Sequence, residues 1–357
     1  MSIKRILQIF HEIRYFKKII NIYGKSLVQG QYQLFPSMRA ISANNPDTIA
    51  IATKYFGREI PQSKTTALIS KINQSNYYNN RNRNTGRLFE AVYSANNYDK
   101  NREVKLFSFQ RNEILTICVS PEVCNKQIDE YNLLHNCFNM PKIESYTSYK
   151  NAYIIAMVDL LPRPDDSLAL QHICKSMASY KNAYIEAVKK IPVSEIASHA
   201  YDSDTITEKL NWLTEKLSPS LLSQNFPVCF QHGDLSRSNL MFGQCNGISD
   251  FWWIDWEHAK ERIFIYDYFF YILNTAVYFN DKTALNEYLS GHYDIYLSNY
   301  FSTFDLSFDS TLRKDYFILF TISFLKERVC KYGNINALNN YCDFIANTVL
   351  DKENNYA

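Results

Sequence analysis

Glycine is scarce in this chain, with 9 residues among 357, and Gly86 is the only one between Arg58 and His232. No glycine-rich phosphate cradle can form in that interval, because such a loop needs backbone that adopts left-handed conformations and approaches closely. Cysteine numbers eight and shows neither a CxxC pair nor a zinc spacing. Several cysteines lie in apolar runs such as Ile117-Cys118-Val119, and they read as reduced core thiols of a cytoplasmic protein. Net charge is nearly absent at +2, and the basic residues are scattered rather than gathered into a stripe, so nucleic acid is not an expected partner. Long apolar runs are missing too. The first 24 residues lack the continuous apolar core of a secretory signal. The most apolar long stretch, Tyr266 to Phe279, carries Asp267 and Asn274 and is too short to cross a bilayer, so it reads as a buried helix and no integral membrane segment is expected.

Aromatic residues are abundant, with 27 Tyr and 23 Phe, and they supply ample core. At 357 residues the chain exceeds what one core usually organises, so two lobes with a cleft between them are expected.

The opening segment reads as a basic amphipathic helix, with Ile3, Ile6, Leu7, Phe10 and Ile13 on one side and Lys4, Arg5, Arg14, Lys17 and Lys18 on the other. Packing on its own protein is preferred over a place on an anionic membrane surface. Residues 25 to 80 are weakly patterned, with a second helix near Pro61–Ile72, and the asparagine-rich run from Asn73 to Asn84 reads as a linker. Arg87–Ser94, Glu103–Gln110 and Glu113–Ser120 are strand-like and suit an antiparallel meander. Pro121-Glu122 opens a helix running through Phe138, Tyr153–Val158 is a further strand, and Asp159–Pro162 leaves it as a hinge. Helical patterns dominate after 165. The heptapeptide Ser148–Ile154 recurs letter for letter as Ser179–Ile185, the first copy running into a strand and the second into a helical pattern over Glu186–Lys190. It reads as coincidence, since a true repeat would recur with its neighbours at a fixed period.

The chemistry concentrates in His232-Gly-Asp234-Leu-Ser-Arg-Ser-Asn239 and Ile254-Asp255-Trp-Glu257. Phosphoryl transfer needs a carboxylate to orient and deprotonate an acceptor hydroxyl, and oxygen ligands to hold Mg²⁺ against nucleotide phosphates. Asp234 suits the first role. Asn239, at the far end of a short loop, can offer its amide oxygen to the metal while its NH₂ braces the loop. Asp255, closing the apolar run Phe251–Ile254, suits the second metal-ligand role. Asn246-Gly247 is a strong turn signal, making the intervening segments a β-hairpin from loop to metal site.

Taken together, His-Gly-Asp-x₄-Asn, Ile-Asp-Trp-Glu and Tyr266-Asp267 ahead of an apolar helix resemble the aminoglycoside phosphotransferase and choline kinase superfamily, which shares the protein-kinase fold. The likeness covers roughly residues 232–272, with weaker support from about 86 to 162. It implies an α+β, bilobal fold: an N-terminal helical extension over 1–80, a small antiparallel-sheet lobe over 81–158 and a larger, mainly helical lobe over 159–357. It implies that Asp234 is the catalytic base, that Asn239 and Asp255 hold Mg²⁺, that His232 packs the loop and that Asp267 braces it. A plain helix-start carboxylate is the other reading of Asp267. Glu257 and His258 are expected at the rim of the site. Arg237 either meets substrate or phosphate or is a solvated loop arginine.

The small lobe departs from that family. The expected third-strand lysine is replaced by Thr116, although Glu130 stands ready on the following helix. Lys105 either reaches in from the preceding strand or is a surface lysine on a sheet edge. Ser94 and the Ala-Asn-Asn after it can offer N–H groups and a hydroxyl to phosphate, and Met157 and Val158 complete the nucleotide-binding set. The expected activity is transfer of the γ-phosphate of ATP or GTP to a hydroxyl of a small molecule. A neutral sugar or polyol, as in bacterial surface-glycan metabolism, is preferred over an aminoglycoside or choline-like acceptor. The reason is that the C-terminal helices show few acids, only Asp305, Asp309, Asp315 and Glu327 being placed to meet a cation. The alternative of another class is a pseudokinase-like binding protein without chemistry. Oligomeric state is not readable from the sequence.

Overall fold

The computed structural model describes residues 30–35, 39–42, 78–80, 89–94, 103–118, 120–146, 151–184, 186, 188–198, 201 and 203–350. Its strands in chain order are β1 (Gly30–Phe35), β2 (Arg39–Ser42), β3 (Tyr78–Asn80), β4 (Ala91–Ser94), β5 (Val104–Ser108), β6 (Glu113–Ile117), β7 (Ile143–Tyr146), β8 (Ala152–Ala156), β9 (Asp159–Leu160), β10 (Lys189–Pro192), β11 (Asn225–Gln231), β12 (Leu240–Cys245), β13 (Ile248–Trp253) and β14 (Lys260–Ile263). The chain falls into two compact units, the first built from 1–133, 140–163 and 241–252, the second from 134–139, 164–240 and 253–357.

In the first unit eight strands form one sheet in the order β3-β1-β2-β4-β5-β6-β8-β7, and all its pairings are antiparallel. Val104, Leu106, Leu115 and Ile117 share one buried face of β5 and β6, and Phe107 and Ile114 are buried on the other. Register sets Lys105 opposite Thr116 and Thr116 opposite Tyr153, so these three residues line one face of adjacent strands. The helix Pro121–Leu134 is tied to that sheet by Gln127, whose Oε1 accepts from the Tyr153 hydroxyl at 3.0 Å and whose Nε2 donates to Glu103 at 3.1 Å. A second sheet, β13-β12-β9, turns at Asn246-Gly247, where φ is 51° and 82°, the paired left-handed residues of a tight hairpin.

The second unit carries a three-stranded sheet, β10-β11-β14, and most of the helices. The helix Tyr266–Tyr278 is nearly all buried, as its composition predicts, and Phe269 packs edge-on against Tyr288 and Phe317. Aromatic edge-to-face pairs of this kind add about 0.5–1.5 kcal/mol each beyond their buried area. All eight cysteines are unpaired thiols, and seven of them are buried. No described helix is long and apolar enough to cross a membrane.

Three local readings are corrected. Tyr78–Asn80 lies within the asparagine-rich run read as a linker, yet it pairs with β1, and β1 and β2 arise from a stretch with little pattern. Edge pairing draws on backbone groups, which an asparagine-rich segment supplies as well as any other. Ile143–Tyr146 is a further strand, and the helix before it ends at Leu134 rather than Phe138. The second copy of the heptapeptide ends a helix, Asp166–Ala183, and the segment after it, read as helical, contains β10, held by pairing with β11. The helices read over residues 1–20 and near Pro61–Ile72 lie outside the described residues.

Gly243 on β12 leaves no space for a side chain, since an added Cβ would sit 2.5 Å from Val158 Cγ1 and 2.6 Å from the Asp159 carbonyl oxygen. Gly243→Ala is therefore expected to destabilise the protein by about 1–3 kcal/mol, measured as a lower urea midpoint at unchanged slope.

Candidate active site

The loop from His232 to Asn239 joins β11 to β12 and is fixed from beneath by one carboxylate. Asp267 is fully buried at the start of its helix, and it accepts the His232 N–H at 2.6 Å and the Gly233 N–H at 2.8 Å. Its own N–H donates to Gln231 Oε1 at 3.0 Å. Burial pushes the Asp267 carboxyl up to about 6, while the two N–H donors and nearby Arg262 pull it down. His232 is buried as well. Its Nε2 lies 2.8 Å from the Ile254 carbonyl and its Nδ1 accepts the Asp234 N–H at 3.2 Å, so Nε2 carries the proton and the ring is neutral. Desolvation lowers its pKa to about 4. Gly233, at φ +80°, makes the turn that this double anchoring requires, and a Cβ there would strike the Arg262 guanidinium.

Asp234 projects from this loop with its side chain about 38% exposed, while the Asn239 amide clasps it, Nδ2 donating to the Asp234 carbonyl at 2.8 Å and to Oδ2 at 3.2 Å. Because the amide nitrogen is committed to a carbonyl, the side-chain oxygen of Asn239 is the atom left for an external cation. The Ile254 N–H donates to the Asn239 carbonyl at 3.0 Å, which brings the end of β13 to the same place. Asp255 follows in left-handed backbone (φ 67°, ψ 59°), a conformation that aspartate tolerates better than most residues. Burial raises the Asp234 carboxyl above the ordinary aspartate range; Arg328 and His258 oppose this and Asp255 reinforces it.

Cations that the sequence reading did not single out frame the loop. Arg262, buried on β14, donates Nε to Glu327 at 2.8 Å and Nη2 to the His258 carbonyl at 3.0 Å, and its guanidinium lies over the Tyr266 ring at 4.8 Å. Arg328, from the helix Arg313–Arg328, donates to the Gly233 carbonyl at 2.7 Å and lies 3.6 Å from Asp234 Oδ1. An arginine in a short polar strand was the sole local sign of Arg262, and nothing local marks Arg328, whose partners are 95 residues away. Arg237 is neither solvated nor free for phosphate: it forms a two-toothed pair with Asp166 and a 2.6 Å contact with Asp281. Glu257 and His258 sit in a short 3₁₀ turn after Asp255, about half exposed, 3.4 Å apart.

The four acids considered for a cationic acceptor each have other partners. Glu327 pairs with Arg262 and Lys260, Asp305 with Lys181, and Asp315 accepts the Ser218 N–H, while Asp309 caps the turn at Thr311.

In the first unit, Lys105 pairs with Glu103 at 3.0 Å and Glu130 with Lys126 at 3.5 Å. Thr116 is buried, and its hydroxyl has no hydrogen-bond partner among the described residues. The Met157 N–H donates to the Asn112 carbonyl at 2.7 Å, and Val158 packs against Ala156, Cys245 and Trp252. Ser94 closes β4 opposite Val104; its side chain and the three residues after it lie outside the described part.

Among the described residues no group of three or more His, Cys, Asp and Glu side chains converges as a metal site. One carboxylate and one amide still fit Mg²⁺, which keeps several waters and takes much of its shell from phosphate oxygens.

Asp267→Asn puts an NH₂ group against one of two buried N–H donors. The expected loss is about 1–3 kcal/mol for the unsatisfied donor, read as a lower unfolding midpoint, with a looser loop reported by faster amide exchange at Gly233.

No family model matches the chain, and no curated protein matches its sequence. Solved structures do. A thermostable mutant of the aminoglycoside phosphotransferase APH(4)-Ia aligns at 12% identity over 73% of this chain and 95% of that one, with a TM-score of 0.42. The macrolide 2'-phosphotransferase MphH from Brachybacterium faecium aligns at 11% identity over 72% and 92%, with a TM-score of 0.40. The choline kinase LicA from Streptococcus pneumoniae aligns at 14% identity over 80% and 100%, with a TM-score of 0.40.

Proposed function

We propose that this protein is a cytoplasmic small-molecule kinase that transfers the γ-phosphate of ATP or GTP, with Mg²⁺, to a hydroxyl of a sugar or polyol. The observation that carries the reading is the clasp of Asn239 on Asp234. One amide nitrogen fixes the carboxylate of the base, which leaves the amide oxygen as the group to offer a cation, and Ile254, bonded to the Asn239 carbonyl, precedes Asp255.

In this reading Asp234 orients the acceptor hydroxyl and takes its proton while that oxygen bonds the γ-phosphorus and the bond to the β-phosphate oxygen breaks. Its pKa, raised by burial, favours proton acceptance, and Arg328 limits how far it rises. Asn239 and Asp255 would hold Mg²⁺, which when bound neutralises charge on the phosphates. His232 and Asp267 act on the loop backbone, keeping Asp234 in place, with the His232 proton committed to the Ile254 carbonyl. Lys105, Thr116, Glu130, Ser94, Met157 and Val158 are the residues assigned to nucleotide contact. A binding protein without chemistry is the second reading, and what favours it is Thr116 where a phosphate-gripping lysine belongs, with Lys105 and Glu130 paired to other residues.

Asp234→Asn keeps the shape of the loop and removes the base. Turnover is expected to fall by about 10²–10⁴-fold with nucleotide binding retained, measured by nucleotide consumption over a panel of sugars, polyols, amino alcohols and aminoglycosides. Unchanged turnover would remove Asp234 from its role. Mg²⁺–ATP at 100 times its Kd is expected to add about 2.7 kcal/mol to the stability of the wild type, and chelation of Mg²⁺ or Asp255→Ala to abolish most of that gain. Absence of any shift with ATP or GTP would count against nucleotide binding altogether.

A further inference from the structure

The proposed base has a fixed cation beside it. The charge that the helix Arg313–Arg328 delivers to Asp234 is a guanidinium, not a carboxylate. Arg328 Nη2 is held by the Gly233 carbonyl at 2.7 Å and approaches Asp234 Oδ1 at 3.6 Å, while Nε has only Glu327 at 3.8 Å. Nη1 meets no acceptor among the described residues, and the side chain is about 24% exposed. A guanidinium anchored at one nitrogen with the other open is prepared for a planar anion, because its N–H groups form a rigid fork matched to carboxylate and phosphate oxygens.

The four C-terminal acids that would welcome a cation instead are occupied. Glu327, adjacent in sequence, is neutralised by Arg262 and Lys260, and Asp305, Asp309 and Asp315 are tied to Lys181, Thr311 and Ser218. An amine placed near the Asp234 carboxylate would face Arg328, with Asp255 beside it committed in this reading to Mg²⁺, whereas an anionic group gains a charge-assisted contact.

We propose that Arg328 is a specificity-determining residue that receives an anionic oxygen group of the acceptor, so that the substrate is a hydroxylated anion, a sugar acid or sugar phosphate. The proposal rests on the kinase reading and narrows its acceptor class. Arg328 holds the anion and Asp234, beside it, meets the hydroxyl to be phosphorylated.

The test compares matched acceptors: hexuronates, hexose 6-phosphates, their neutral parents and hexosamines, each assayed with Mg²⁺–ATP for nucleotide consumption and titrated calorimetrically against the wild type, Arg328→Lys and Arg328→Met. The wild type is expected to prefer at least one anion over its neutral parent by about tenfold or more in kcat/KM and in affinity, equivalent to about 1.4 kcal/mol. Whether the carboxylate or the phosphate arm responds identifies the group. Arg328→Met is expected to bring the ratio close to one, and Arg328→Lys, which keeps charge without the fork, to retain part of it. Thermal unfolding confirms that each variant is folded. Equal use of neutral sugars or hexosamines by the wild type, or an unchanged ratio in Arg328→Met, overturns the proposal. If no acceptor is turned over, the titrations decide: anion-selective binding lost in Arg328→Met sustains the site and defeats the kinase reading, and no anion selectivity in the wild type defeats the site itself.

Discussion

Two short hydrogen bonds from the backbone of His232 and Gly233 to the buried carboxylate of Asp267 are the constraint on which the rest of the site depends. They point two consecutive N–H groups inward, which forces the left-handed turn at Gly233 and sends Asp234 outward with its carboxylate partly in solvent. A charge so deeply placed is tolerable only because it is fully engaged, and the same engagement makes the loop rigid. His232 then links the loop to β13 by donating to Ile254 and accepting from Asp234, so three segments far apart in the chain share one hydrogen-bonded frame.

Beneath that frame lies a second layer in which charge is balanced by packing. Arg262 is buried, and its guanidinium is satisfied on several sides by Glu327, by the carbonyls of His258 and Gln231, and by the face of Tyr266. Aromatic residues form the surroundings, with His232 beside the stacked Trp253 and Trp256 at ring distances of 6.1 and 4.8 Å. Low local polarity strengthens each hydrogen bond in the loop and makes each missing partner expensive. That explains why so polar a segment sits within so aromatic a core.

The legibility of this molecule from its sequence differs by region. His232, Asp234, Asn239, Asp255 and Asp267 stand out as candidates because their spacing is local or nearly so, and the hairpin between them announces itself through Asn246-Gly247. The meander β4-β5-β6 and the helix after it followed from alternation and from Pro121. Gln127, Arg262 and Arg328 were not readable, since each acts through partners many positions away and none sits in a pattern that local periodicity detects. Tyr78–Asn80 was missed because its pairing draws on backbone alone. The identical heptapeptides show the limit of local reading: Ala152-Tyr153-Ile154 is strand and Ser179–Ala183 is helix, chosen by the neighbours each copy packs against.

The tie between Arg262 and Glu327 spans sixty-five positions. During vectorial synthesis the motif emerges from the ribosome well before its counterion does, so the nascent chain carries a buried-to-be guanidinium with no carboxylate to receive it. The Arg262 guanidinium beneath the loop therefore gains its carboxylate partner only when the helix Arg313–Arg328 has been made.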